Sequence, residues 1–411
     1  MASTSGRYAK VGRAFTALRQ PEMLVLGAIS VVHLISHFHI LVLPVLFPFL
    51  KESFGVGYVE LGLALTLFNV VSGLTQAPMG FLVDRIGARR VLVGGLLLGA
   101  ASFASLGVVM TYPWLLVTAV LAGLANCVYH PGDYAILTAC MSDKRMGRAF
   151  SIHTFAGFLG GAMTPAVMLF VVYAAGIRAA LLVAGLMAVA AAGLLLMVPS
   201  GAEKAAPASA ASQFLTPAIL MLTMFFAFLS LSNGGIQNFG VPALVSGFAI
   251  GLTSANMALT AFLLTSAAGV LAGGYIADRT SRHGEVASAA FALTAVLIFM
   301  IGVLRMDGLL LSVTMAVAGF LSGVIAPSRD MLVRKAAPPG AAGSVFGIVS
   351  TGFNIGGVIA PMIYGWLLDN RPAPWVFYVS SAFMAATVVL VLVADRRARA
   401  AAAAASAAAR Q

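Results

Sequence analysis

Apolar residues run through this chain in long blocks separated by short polar intervals, and the spacing of those intervals predicts its elements. About 20 apolar residues in helix cross ~30 Å of hydrocarbon. Twelve blocks reach that length: 24–50, 59–83, 91–110, 114–140, 149–173, 179–198, 214–241, 254–277, 286–304, 309–333, 342–367 and 375–394. The expected fold is therefore an all-α integral membrane protein with twelve transmembrane helices in two six-helix halves. Residues 1–21 form an N-terminal tail, 22–198 the first half, 199–213 a linker, 214–394 the second half and 395–411 a C-terminal tail. The first block continues too far for a signal-peptide core, and no cleavage pattern follows it.

The polar intervals carry two kinds of information, charge and repetition. Nineteen Lys and Arg fall in the tails and in one set of connections, and four (Lys51, Arg178, Arg305, Arg371) in the other; Arg329 alone lies inside a span. Basic residues concentrate on the cytoplasmic side, so both termini are expected in the cytoplasm and the protein in a bacterial inner membrane as a multi-pass chain. The interval Gly80-Phe81-Leu82-Val83-Asp84-Arg85-Ile86-Gly87-Ala88-Arg89-Arg90 reads as a tight cytoplasmic loop. Its Gly, Asp and Arg return 194 positions later as Gly274, Asp278 and Arg279. A longer block, Pro131 to Pro165, returns as Pro327 to Pro361 at a constant offset of 196, carrying Phe150 to Phe346 and Gly160-Gly161 to Gly356-Gly357. Paired halves of this kind place a transport site between repeats.

Composition narrows the class further. Of 411 residues, 61% are hydrophobic and 9% charged, far from any soluble domain. The net charge of +11 is spread over loops rather than gathered in a basic, aromatic-rich patch, which argues against nucleic acid. Cys127 and Cys140, thirteen apart on one predicted helix, suit neither a disulfide nor a metal motif and read as packing residues. No nucleophile–base set or phosphate cradle is present, so an enzyme is not expected.

The Gly-x-Leu-x-Asp-Arg-x-Gly-x-Arg-Arg interval after the second span resembles the signature of the major facilitator superfamily. That resemblance extends over about residues 22–395 and implies two six-helix halves around a central cavity. Within the superfamily, Val32-His33-Leu34-Ile35 and Val128-Tyr129-His130-Pro131 are similar to the fosmidomycin-resistance exporters, with two departures. His37 stands where those exporters carry an acidic residue, and Gly132-Asp133 follows the His-Pro pair in place of Glu. Gly157-x-x-Gly160-Gly161-x-x-x-Pro165 partly resembles the antiporter motif of drug exporters, with Thr164 replacing its Gly.

Ionisable and polar groups inside spans are costly, so each is a candidate for function. Span 1 holds His33 and His37, four apart on one face, with His39 elsewhere. Span 4 holds Asn126, Tyr129, His130 and Asp133, of which 126, 130 and 133 fit one stripe. Span 7 holds Asn233, Gln237 and Asn238, and span 10 holds Ser322, Arg329 and Asp330. Asn69, Gln76, His153 and Asn354 are isolated candidates, for which an interhelical hydrogen bond is the simpler role. A guanidinium fork matches carboxylate or phosphonate, so Arg329 suggests an anionic solute.

These residues predict a proton-coupled secondary transporter of a small organic anion, working by alternating access as a monomer in lipid and using no cofactor beyond the proton gradient. Efflux of a drug-like or phosphonate-like compound follows from the resemblance. Uptake of a small carboxylate, transport of a metal or metal chelate, and a receptor or assembly factor on a transporter scaffold are the alternatives. The expected solute site is His33, His37, Asn126, Tyr129, His130, Asn233, Gln237, Arg329 and Asn354. The expected proton-coupling residues are His37, His130 and Asp133, and no metal ligand is expected. Gly80, Asp84, Arg85, Asp278 and Arg279 are expected to gate, with Asp84 and Asp278 latching onto helix ends near Gly343 and Gly147. The 196-residue offset pairs Asp133 with Arg329, predicting a gate that closes where they meet.

Overall fold

The computed structural model describes residues 4–141, 143–197, 216–280, 282–336 and 342–408. Within those ranges it does not describe the side chains of 4–21, 77, 84, 138, 143, 144, 146–148, 278, 334, 335, 342–344, 346, 347 and 394–408. Thirteen α-helices and one π-helical turn make up the described residues: α1 (Thr4–Phe54), α2 (Tyr58–Ile86), α3 (Ala88–Val108), α4 (Tyr112–Asn126), α5 (Tyr129–Cys140), α6 (Asp143–Met197), α7 (Pro217–Gly234), the π turn (Gly235–Phe239), α8 (Gly240–Phe248), α9 (Leu252–Arg279), α10 (His283–Val303), α11 (Gly308–Ala336), α12 (Ala342–Asn370) and α13 (Trp375–Ala408). Among the described residues, eleven segments are long and apolar enough to cross a membrane. One of them, Ala149–Met197, is 49 residues, more than twice what a bilayer needs. Gly176 (φ 85°, ψ 170°) breaks its helical path, giving the twelve expected spans.

Four expected elements differ in detail, three of them through a glycine or proline. Residues 80–90 are not a loop: α2 continues to Ile86 and α3 begins at Ala88, leaving Gly87 (φ 92°, ψ 137°) as the whole turn. A positive φ carries little steric cost without a Cβ, so one glycine reverses the chain. Likewise Gly274 to Arg279 close α9 rather than leaving it. Span 4 is two helices, broken at Cys127 and Val128. Pro131 has no N–H to give the Cys127 carbonyl, and its ring crowds that oxygen. Span 7 is interrupted by the π turn just before Pro242, whose ring acts in the same way on Asn238.

In the first half α1 packs on α6, and in the second α7 packs on α12. The halves meet through α2 against α12 and α6 against α9, two contacts that a pseudo-two-fold axis exchanges. Along the α2–α12 seam, small residues let the backbones touch: a Cβ on Gly62 would lie 2.6 Å from the Pro361 carbonyl oxygen. Thr66 donates its hydroxyl to the Val358 carbonyl at 3.0 Å.

The seam is fastened at the end near Gly55, opposite Gly87. Asp369, at the end of α12, accepts from the backbone N–H of Tyr58 (2.9 Å) and Val59 (2.7 Å), two free donors of the first turn of α2. A carboxylate at a helix N-terminus gains from both the hydrogen bonds and the dipole. Lys51 stands 3.9 Å from the same carboxylate and 4.4 Å from the Tyr58 ring centroid. Phe47 meets Phe239 of the π turn across the halves nearby, with centroids 5.7 Å apart. The molecule is closed at its Gly55 face. Charge-assisted hydrogen bonds are worth about 1.5–3 kcal/mol, so Asp369→Ala is expected to favour opening at that face roughly 10- to 100-fold. A cysteine placed at Thr66 should then react faster with a water-soluble thiol reagent; an unchanged rate would show that the clasp does not hold the face shut.

Candidate functional site

Asp133 lies on α5, wholly buried, and two imidazoles converge on it. His33 of α1 brings Nδ1 to 3.4 Å from Asp133 Oδ2, and His153 of α6 brings Nε2 to 3.6 Å from the same oxygen. The two rings stack with centroids 3.9 Å apart and 24° between planes. His37 and His130 complete the group, their centroids 4.6 and 5.7 Å from that of His33. Four histidines and one aspartate, from three helices, thus form one cluster inside the first half.

The local sequence explains the convergence. The break at Cys127–Val128 resets the helical phase, so Asn126 and Asp133 do not share a face as one unbroken stripe would require. Asn126 turns to α2 and donates to the Ser72 hydroxyl at 2.9 Å, whereas Asp133 points between α1 and α6. Gly157 makes room on α6: a Cβ there would come within 2.7 Å of the His33 ring and 3.0 Å of His37. Tyr129 is also buried, and its hydroxyl has no hydrogen-bond partner among the described residues. His39 is set apart, as its spacing predicts: Nε2 lies 3.0 Å from the Ala184 carbonyl oxygen, and the ring packs on Phe103.

Arg329 forms a second polar centre, on α11. Its Nε and Nη2 both donate to Oδ1 of the adjacent Asp330, at 2.9 and 2.8 Å. Its guanidinium carbon stands 4.8 Å from the centroid of Phe226 and 5.4 Å from that of Phe353. Asp133 is enclosed by His33 and His153, and the carboxylate on Arg329 is its neighbour in sequence; the expected Asp133–Arg329 pairing belongs to a state closed at the opposite, Gly87 face. The offset relates positions, but α5 begins afresh after a break while α11 runs continuously through Pro327, so side-chain directions do not follow.

Polar side chains from both halves are accessible in the intervening space. His130 and Tyr134 are exposed on α5, and the Asp330 side chain is 47% exposed on α11. Polar groups within spans are not left to lipid, so these side chains face a neighbouring helix or water. Asn233, Gln237 and Asn354 are partly exposed, and Asn233 Oδ1 has no hydrogen-bond partner among the described residues. Of the expected gating residues, Gly80 has open space where a side chain would be, Arg85 is exposed and Arg279 lies 3.4 Å over the Tyr275 ring. Asp84 and Asp278, with Gly147 and Gly343, lie outside the described side chains.

The family model of the Major Facilitator Superfamily matches residues 29–231 and 220–410. The chain is a member of the major facilitator superfamily. It is 22% identical to the fosmidomycin resistance protein of Escherichia coli K12, over 90% of this chain and 92% of that one. It is 27% identical to the multidrug resistance protein MdtH of Aeromonas hydrophila, over 94% and 95%. A solved structure of a bacterial homolog to the human lysosomal transporter Spinster, inward-facing and occupied, superimposes with TM-score 0.72 at 14% identity, over 91% and 95% of the two chains. As a superfamily member the chain is a multi-pass membrane transporter, a non-enzyme class, and it shares the fold of that neighbour.

Sequence reasoning gave His153 too little weight. A single histidine on an apolar helix carries no pattern of its own, and only its position four residues before Gly157 hinted at a close neighbour. A test follows from the crowding. Gly157→Ala should overpack against the His33 ring and cost about 1–3 kcal/mol, lowering the thermal midpoint in detergent. Gly161→Ala, whose Cβ would meet Leu41 at an ordinary 3.4 Å, should be tolerated. Equal midpoints for the two variants would contradict the tight α1–α6 contact.

Proposed function

We propose that this transporter exports a small organic anion in exchange for protons, and that Arg329 receives the solute. The observation that carries this reading is the setting of Arg329: a guanidinium with 17% of its side chain exposed, flanked by two phenyl rings, in a bundle closed at the Gly55 face. Its carboxylate partner, Asp330, is engaged through one oxygen and is itself half exposed. An anionic solute can replace that partner, because a guanidinium binds carboxylate or phosphonate through parallel N–H donors. Phe353, partly exposed, offers an apolar face to the rest of the molecule, which suits a drug-like anion over a simple inorganic one.

The charge distribution supports a cytoplasmic Gly87 face. On that reading the cavity opens to the cytoplasm, where an exporter loads. The names of the relatives, a fosmidomycin resistance protein and multidrug resistance proteins, favour export over uptake. Ionisable side chains held within the bilayer, which proteins retain mainly along ion and substrate pathways, support proton exchange. Asn233, Gln237 and Asn354 are the further polar groups we assign to the solute path, with His37 and His130 on the opposite wall.

Two measurements test this. In proteoliposomes, transport of a fluorescent organic anion should accelerate with a pH gradient and fall to the passive leak when that gradient is collapsed at clamped membrane potential; indifference to the gradient would remove protons from the account. Arg329→Gln should weaken anion binding by about 1.5–3 kcal/mol, roughly 10- to 100-fold, with Arg329→Lys intermediate because it keeps the charge and loses the fork. Full affinity in Arg329→Gln would move the solute elsewhere.

A further inference from the structure

The cluster around Asp133 has donors but no hydrogen bonds to spend them on. Among the described residues, His33 Nδ1, both oxygens of Asp133 and both nitrogens of His153 are buried without a hydrogen-bond partner. The separations of 3.4 and 3.6 Å exceed the ~2.7–2.9 Å of a charge-assisted hydrogen bond. His39, on the same helix, shows what a structural histidine looks like in this protein: one nitrogen seated 3.0 Å from a backbone carbonyl oxygen. Nothing of that kind holds His33 Nδ1 or His153.

The spacing suits a different occupant. Ligands of a tetrahedral ion with bonds of ~2.0–2.1 Å stand ~3.3–3.4 Å apart. Asp133 Oδ2 keeps nearly that distance from each imidazole nitrogen, and all three atoms lie within 4.8 Å of one another. Closing the two nitrogens onto one ion asks for a modest turn of stacked rings. Two imidazoles and a carboxylate are the borderline donor set of zinc, cobalt or nickel, not the all-oxygen set of magnesium or calcium. His37 and His130 flank the site, and the exposure of His130 leaves an approach from the cavity.

We infer that His33, Asp133 and His153 form a binding site for one divalent first-row transition-metal ion of the zinc class, with His130 or water as the fourth ligand. This goes beyond the export of an organic anion and does not depend on it. The site lies within one half and takes no ligand from the Arg329 centre, so either can fail alone.

The test uses the full chain without a histidine tag, purified in detergent, stripped with chelator and titrated with cobalt(II) alone. One equivalent should give the visible d–d absorption of a tetrahedral N/O site, and excess zinc should abolish it. Asp133→Asn and His153→Gln should each weaken binding at least ~10-fold, while a Cys127→Ala/Cys140→Ala variant should bind as the parent does. Should Asp133→Asn fail to fold, His153→Gln with a circular-dichroism check of helicity carries the comparison. No stoichiometric binding by the parent chain, or binding unaffected by the variant that folds, overturns the site. Since solute transport is not measured, neither outcome bears on Arg329.

Discussion

A carboxylate in the middle of a helical bundle has no water to turn to, and that constraint organises the first half of this protein. Asp133 is fully buried, and among the described residues His33 and His153 are the ion-pair partners that approach it. Burying such a group uncompensated is far more costly than burying a neutral one, so α1, α5 and α6 must stay close enough to keep two imidazoles on it. The glycines of α6 permit this: Gly157 faces the His33 and His37 rings. The chemistry of the cluster and the packing of the half are thus one problem, and the small residues solve both.

The second half is built on a different balance. Its charge, Arg329, is met by a carboxylate one residue away and by two aromatic faces, an arrangement that neutralises the guanidinium without enclosing it. The first half hides its charge among neighbours and the second keeps its charge near water, although the two sequences share a 196-residue register. Between them the seam of α2 and α12 closes one face through backbone contact at glycine and a carboxylate seated on a helix end. Glycine contacts and helix-end bonds break cleanly when the halves move, whereas interlocked large side chains would not.

Much of the architecture was legible in the sequence because a bilayer imposes length and hydrophobicity on every span. The twelve blocks, the paired repeat and the candidacy of His33, His37, His130 and Asp133 all follow from patterns that survive without tertiary information. What escaped was direction. Pro131 and Pro242 were visible, yet the rotation each imposes on the helix beside it depends on how the freed carbonyl is accommodated. A constant offset relates Asp133 to Arg329 by position, but not the neighbours each keeps in this state, which are His33 and His153 for the one and Asp330 for the other. His153 escaped for the opposite reason, since a lone histidine has no periodic partner in sequence and acquires its meaning from residues 20 and 120 positions away.

The central claim is that the face closed here opens as the opposite face closes, carrying the polar cavity from one side of the membrane to the other. Spin labels at Arg85 and Arg279, and in a second protein at Glu52 and Arg371, report the two faces by pulsed electron–electron distance measurement in lipid nanodiscs. The account predicts two populations at each face, with the short distance at one matched by the long distance at the other, and a reciprocal shift between them when an organic anion is added. A single distance at both faces, unmoved by the anion, would contradict alternating access by this fold.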